Sequence, residues 1–461
     1  MTTRLVLTAS HVEALRDALL QHDERERFAF MYCSWSGSDR LVPVEVHPVA
    51  DDDMATMQRT ACRPELKIER SHIDQCLDRG LVPLLVHSHP FSGDPSFSGQ
   101  DQRIMSKQTE WLQQLYPGQE IGFAVVGTSG VSALLEHPET GSVQLSVDVI
   151  GAWKLDTPVT ESQPSLPTSV DRERYDRNTR LFTLEGQEQL HELSVAVVGV
   201  GGLGSMAAVQ LARLGVHDLT LVDPDEVERS NLPRLSGASE GDLGRAKVDV
   251  VHQAVFKANP DTEVTAVASR VQDAVDVLED VDIILGCVDR MSARVFLNEY
   301  AVKHLRLYID GGSRIDVDGG TVEAMDGYVQ VVAPGASACF DCLGRSSPEI
   351  LRRELLSDDE LEQEVQRGYI DEQELVPEPA VVYLNGVAAS LLVSQVAKVA
   401  TGYVGPSEFI RFDALQDETS SVVTEPADGC VTCTRMLGRG EYSPSEYATL
   451  ADELRSTETE V

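Results

Sequence analysis

A chain of 461 residues is too long for one hydrophobic core, so two or three domains are expected. With 42% hydrophobic and 25% charged residues it reads as globular, and a formal net charge of −37 excludes nucleic acid as a partner by repulsion. No uninterrupted apolar run reaches the roughly 18–20 residues of a membrane span, and no basic-then-apolar signal opens the chain. A cytoplasmic protein without membrane contact is therefore expected. Of its 38 basic residues only seven are lysine, which suits a salt-loving host or a GC-rich genome equally. Four of the eight cysteines form two late CxxC pairs, which in the cytosol point to metal rather than disulfides.

Residues 12–20 are predicted as an amphipathic helix, with a polar break over 22–26. Strands follow at 28–32 and 41–46, a helix at 68–78, and a buried strand at 81–86 that runs into His87-Ser-His-Pro90. Two histidines at i and i+2 on a strand face the same side, so His87 and His89 can reach one ion. Asp101 opens a helix over 102–116 and can return its carboxylate to that ion. Two His, one Asp and an open water position make a catalytic zinc site, where the metal lowers the pKa of bound water.

These residues resemble the JAMM/MPN metallopeptidases, whose pattern is a distant Glu, H[ST]HP, then Ser-x-x-Asp. The eight residues between His89 and Ser98 are one more than that family's usual loop. The resemblance covers residues 1–152 and implies an α/β domain, a sheet flanked by helices. It assigns His87, His89 and Asp101 to zinc, Ser98 to the oxyanion and Glu26 to the general base, with Glu24 as the alternative. The implied reaction is cleavage of a peptide or isopeptide bond after a ubiquitin-like tail.

Residues 153–170 are rich in Pro, Ser and Thr and read as a linker. A second α/β domain is expected over 171–440, and an acidic tail over 441–461. Residues 195–198 form a buried strand, and Gly199, Gly201 and Gly204 fit a GxGxxG turn into a helix over 205–214. Such a turn, Gly202 included, presents backbone N–H groups to a phosphate, but it fits NAD, FAD and ATP alike. A strand at 219–222 ends in Asp223, which suits a ribose hydroxyl pair.

Asp223-Pro-Asp-Glu-Val-Glu-Arg-Ser-Asn-Leu-Pro-Arg234 is similar to the DxDxVxxSNLxRQ signature of ThiF/MoeB and ubiquitin-activating adenylyltransferases, with Leu235 in place of the last Gln. Residues 241–247 and 286–294 resemble that family's G-x-x-K and D-x-x-x-x-R segments, with Arg290 where Asn is usual. The resemblance implies a Rossmann-like doubly wound domain that uses ATP and Mg2+. It gives Asp223 to the ribose, Asn231, Arg234 and Lys247 to phosphates, and Asp289 to Mg2+. Arg177 would reach ATP as an arginine finger across a homodimer.

Cys339, Cys342, Cys430 and Cys433 make a CxxC…CxxC set, read as a closed structural zinc that staples the C-terminal segment to the domain. Residues 343–383 hold no cysteine, so adenylation without a thioester on this crossover segment is expected. It is charged and helical in pattern over 349–367, and an apolar helix follows over 385–401. Cys287 reads as core. The expected partner is a ubiquitin-like or sulfur-carrier β-grasp protein, with a conjugating enzyme or sulfurtransferase as acceptor. The competing readings are a sulfur-carrier activator, a flavin or nicotinamide redox protein, and a non-catalytic scaffold.

Overall fold

The computed structural model describes residues 3–21, 25–90, 95–138, 140–155, 170–370 and 379–440. Glu24, most of the linker and the acidic tail lie outside these residues. The N-terminal region is built on strands β1 (Arg4–Thr8), β2 (Phe28–Ser36), β3 (Arg40–Pro48), β4 (Met54–Met57), β5 (Cys62–Pro64), β6 (Val82–His89), β7 (Ile121–Gly127), β8 (Val131–His137) and β9 (Gly141–Ile150). Helices α1 (Ala9–Leu19), α2 (Leu66–Leu77) and α3 (Gly99–Leu115) complete it.

Alternation along β2 explains the layering. Ala29, Met31 and Cys33 share one core with Val12 and Leu15 of α1. Phe28, Phe30 and Tyr32 share another with Ile73 of α2 and Leu112 of α3. Side chains on a strand alternate between its faces, so both faces are covered by helix. The sheet differs from expectation in one respect: it closes into a barrel, in the order β1-β3-β2-β6-β7-β8-β9. Closure comes from β1, which pairs in parallel with both β3 and β9.

The second sheet contains β10 (Ser194–Val198), β11 (Asp218–Val222), β12 (Glu263–Val267), β13 (Ile283–Gly286), β14 (Leu307–Asp318), β15 (Thr321–Val332), β16 (Phe409–Asp413) and β17 (Glu418–Val422). Its order is β12-β11-β10-β13-β14-β15-β16-β17. The first five strands are parallel and the last three antiparallel. Around it lie α4 (Asp176–Glu192), α5 (Gly202–Leu214), α6 (Lys247–Ala258), α7 (Met291–Lys303), α8 (Pro348–Glu354), α9 (Asp358–Gln366), α10 (Val382–Thr401) and α11 (Val431–Arg435). Val195 and Val197 pack with Leu211 of α5 and Leu392 of α10, whereas Ala196 and Val198 pack with Leu297 of α7. Helices on both faces of a parallel sheet make it a doubly wound, Rossmann-like α/β fold.

Among the described residues the stretch expected to be helical over 349–367 forms two short helices, α8 and α9, because Ser357 restarts the chain with its own capping box. Helix α10 corrects a sequence expectation. It is 20 residues long with a mean hydropathy of 1.3, apolar enough by length and composition to cross a membrane. It is the apolar helix expected over 385–401, lengthened by three residues at its start, and Asn385, Gln395 and Lys398 break its apolar run. Half of it is buried, with Leu384, Ala388 and Leu392 in the core.

The barrel sits on the edge of the second sheet where its parallel strands begin. Arg4 pairs with Asp39 at 2.9 Å and with Asp282 at 2.7 Å, and Arg40 also pairs with Asp282. The other Asp282 oxygen accepts the Ser194 N–H at 3.0 Å, at the start of β10. Arg306, at the start of β14 and fully buried, donates to the carbonyls of Ser36 and Glu279. Residues 153–155, expected in the linker, also anchor here: Lys154 pairs with Glu408 at 2.7 Å.

Asp282 links two guanidinium groups of the barrel to a backbone amide of the second sheet, so its loss should be felt by both halves. Burial pushes its carboxyl up, but Arg40, Arg4 and the Ser194 amide more than offset this and hold it below the ordinary value. A carboxyl lowered in the folded state stabilises fully above its ordinary pKa, and that contribution is lost as pH falls through the folded value. Asp282→Ala leaves buried Arg40 without its partner and should cost about 3–5 kcal/mol in urea unfolding at neutral pH, and the difference from wild type should shrink on acidification.

Candidate functional site

The first cluster gathers where β10, β11 and β13 end. Gly199 leaves β10 with φ +85°, a left-handed conformation that favours glycine, and a Cβ there would lie 2.7 Å from the Cys287 carbonyl oxygen. Gly204, in the first turn of α5, packs directly on the Gly199 carbonyl and on Cys287 Cβ. Gly201 faces open space. Helix α5 begins at Gly202, three residues earlier than the sequence pattern suggested, so its first N–H groups belong to the turn itself. Gly204→Ala should lower stability by about 2–3 kcal/mol, read as a shift in the urea midpoint, because strand β10 and helix α5 cannot separate without breaking the turn.

The 223–234 segment lies against this turn. Asp223 is buried and accepts the Val200 N–H at 2.8 Å and the Asp225 N–H at 2.9 Å. Burial pushes its carboxyl up, against the pull of Lys247. Arg234 lies with its methylenes 3.1–3.2 Å from where a Gly202 Cβ would stand, and Nη1 donates to the Ser230 carbonyl at 2.8 Å. Asn231 is buried, and its Oδ1 caps the Glu228 N–H at 3.0 Å. Lys247 opens α6 and pairs with Asp225 at 2.7 Å. Asp289 is exposed just beyond β13, in the loop before α7. Cys287 packs beneath the turn, its thiol pushed up by burial.

Arg177 is not brought to this cluster. It is exposed near the start of α4, where Tyr175 packs on Gly215 and Asn178 donates to the Leu214 carbonyl at 3.4 Å. That is the far end of α5, about 18 Å of helix away from the glycine turn.

Sequence reasoning missed several neighbours. Asn385 of α10 is buried against Gly202 and accepts the Ser313 hydroxyl at 2.9 Å. A lone Asn near the start of an otherwise apolar helix was the available signal. Beneath Asp289, Arg294, already singled out as the last residue of the D-x-x-x-x-R segment, pairs with buried Asp310 at 2.5 Å, and Arg345 approaches the same carboxylate at 3.2 Å; Asp310 and Arg345 are the missed partners. Glu354 of α8 accepts the Met291 and Ser292 N–H groups at 2.8 and 2.9 Å, capping α7. None of these pairings is local in sequence.

The second cluster lies at the end of β6, which continues through His89 rather than stopping at 86. Asp101 Oδ1 is 3.5 Å from His87 Nε2, and Oδ2 is 3.4 Å from His89 Nε2. Tetrahedral zinc with bonds of about 2.0–2.1 Å requires ligand atoms about 3.3–3.4 Å apart, so this spacing fits the ion. His87 Nε2 is buried without a hydrogen-bond partner, as a nitrogen aimed at a metal would be. Ser98 caps α3, accepting the Asp101 N–H at 3.2 Å. Its neighbouring carboxylate, Asp101, is held well below the ordinary range: burial opposes this, and the two histidines and Ser98 outweigh it. Glu26 is buried with Oε1 3.8 Å from His89 Nε2, and burial pushes its carboxyl up to about 7.

The third cluster brings Cys339, Cys342, Cys430 and Cys433 together across 91 residues of sequence. Sulfur separations are 3.6, 3.7 and 3.5 Å for 339–342, 339–430 and 342–433. Zinc–sulfur bonds of about 2.3 Å in a tetrahedron require about 3.8 Å, so four thiolates fit a closed zinc.

Residues 175–432 match the ThiF family. The chain is similar to ubiquitin-like modifier-activating enzyme 5 of Drosophila persimilis, with 25% identity over 320 residues, 66% of this chain and 78% of that protein. The same enzyme of Branchiostoma floridae is 27% identical over 315 residues, covering 63% and 71%. Among solved structures, E. coli MccB with ATP aligns at 22% identity and a TM-score of 0.46, over 58% of this chain and 76% of that one.

Proposed function

The chain belongs to the ThiF family, and from that premise we propose that residues 171–440 adenylate the C-terminus of a ubiquitin-like protein. The observation that carries this reading is the 223–234 segment folded against the glycine turn, with Arg234 beside Gly202 and Asp289 at the end of the adjoining strand. The relatives named as modifier-activating enzymes support it. The modifier's terminal carboxylate attacks the α-phosphorus of ATP, one C–O–P linkage forms, and the α–β bridging bond breaks to release pyrophosphate. Negative charge then builds on phosphate oxygens, and the amides at the start of α5 with Arg234 and Lys247 answer it. Asp223 orients the ribose; its oxygens keep lone pairs beyond the two N–H bonds they accept. Asp289 would hold Mg2+, which supplies charge neutralisation of the phosphates. Arg177, remote from its own turn, would serve the nucleotide of a second copy in a homodimer. With no cysteine over 343–383, the adenylate passes directly to an acceptor rather than to this segment.

The barrel domain is proposed to be a JAMM/MPN peptidase acting on the same modifier. His87, His89 and Asp101 would hold zinc, which supplies an acidified water. Glu26 takes and returns the proton, and the Ser98 hydroxyl donates to the developing oxyanion. The four cysteines would hold a structural zinc.

ATP–pyrophosphate exchange tests the first half, with host ubiquitin-like proteins ending in Gly-Gly added singly. Exchange that depends on one of them is the expected result. No exchange with any candidate, on protein that binds zinc at the barrel, would leave a peptidase whose second domain only recognises its substrate.

A further inference from the structure

The four-cysteine cluster and the Asp289 loop are joined through a short chain of buried polar contacts. Arg345 follows Cys342 by three residues, and its guanidinium lies 4.0 Å from the Tyr328 ring centroid and 4.5 Å from that of Phe340, which sits inside the first CxxC. Nη1 donates to Gln330 Oε1 at 2.6 Å, and Nη2 is 3.2 Å from Asp310 Oδ2. The other Asp310 oxygen takes Arg294 at 2.5 Å and the Tyr308 hydroxyl at 2.8 Å. Arg294 in turn donates to the carbonyl of Val288, the residue before Asp289, and to that of Gly311 at 3.4 Å.

The same stretch of chain grips the loop from two further sides. The Phe340 N–H donates to Asn298 of α7 at 2.8 Å, and Glu354 caps the first turn of that helix. Asp289 thus sits between a carbonyl fixed by Arg294 and a helix start fixed by Glu354, while its own side chain stays exposed. A guanidinium suits the Arg345 position because it pairs by charge with Asp310, whose Oδ2 makes no hydrogen bond, while it donates to Gln330 and lays a flat face on the aromatic rings.

We propose that Arg345 is a positioning residue for adenylation: through Asp310 and Arg294 it sets the backbone that aims Asp289 at the nucleotide-bound metal ion. This rests on the adenylation reading and deepens it. Removing one link lets the loop drift, and a displacement of about 1 Å in a catalytic group can cost 10²-fold in rate.

Manganese, used as a paramagnetic substitute for Mg2+, gives a readout that needs no modifier. In the full chain with saturating ATP, Arg345→Met should weaken ATP-dependent Mn2+ binding about tenfold. ATP affinity without divalent metal should stay within twofold. In an Asp289→Ala background, Arg345→Met should have less than a twofold further effect, since its route ends at Asp289. If Arg345→Met proves insoluble, Arg345→Lys keeps the charge without the flat face and should weaken binding about threefold. Mn2+ binding within twofold of wild type in folded Arg345→Met or Arg345→Lys overturns the proposal alone. So does an effect that persists undiminished without Asp289. A wild-type chain that binds no ATP overturns the adenylation reading and the proposal together.

Discussion

Asp289→Ala is expected to slow modifier-dependent pyrophosphate exchange by about 10²–10³-fold, or roughly 3–4 kcal/mol of transition-state stabilisation. The carboxylate is exposed at the end of β13, so truncation removes no packing and the urea midpoint should not move. ATP binding itself should weaken less than the rate falls, because the turn amides, Asp223 and Arg234 remain. A variant that lost stability and rate in parallel would place Asp289 in the scaffold rather than at the reacting phosphates. Exchange within threefold of wild type would remove it from the adenylation chemistry altogether.

The second large effect belongs to the barrel. His87→Ala should release one zinc per chain and lower cleavage of a C-terminally extended modifier by at least about 10³-fold. Glu26→Gln should retain that zinc and still lose about 10²–10⁴-fold, the usual contribution of a general acid–base. Metal content with cleavage rate on the same preparations separates ligand from proton carrier. Equal zinc loss in both variants would make Glu26 a ligand. Unchanged cleavage in both would leave the barrel as a binding module.

How much of this was legible in the sequence follows from how local each constraint is. The glycine turn could be read directly, because Gly199 and Gly204 meet within one turn of chain and the clash that excludes a Cβ is between near neighbours. His87 and His89 could be placed on one face because strand geometry alone puts them there. Barrel closure could not, since β1 finds β9 across some 140 residues. Arg345 and Asp310 stand in no recognisable motif, and their pairing spans 35 residues. Only folding brings them to Arg294. The segment holding Arg177 was recognisable, yet its position beside Gly215, away from the nucleotide turn, depends on how α4 packs. The apolar helix expected over 385–401 is α10, which begins three residues earlier and buries its Asn385 and Gln395.

The docking edge between the two halves carries a consequence for traffic. Ser36 and Gly37 meet the second domain at one end of β2, whereas His87 pairs with Phe28 at the other, about 26 Å along the strand. On the other side, Asp282 marks the contact at the start of β13, and Asp289 lies past its end. The two centres therefore open away from each other, back to back. On the proposed reading a tail cannot be passed from one to the other without letting go. On that same reading one chain would seat two modifiers at once, one being trimmed while another is charged, and the free pool between them would set which fate prevails.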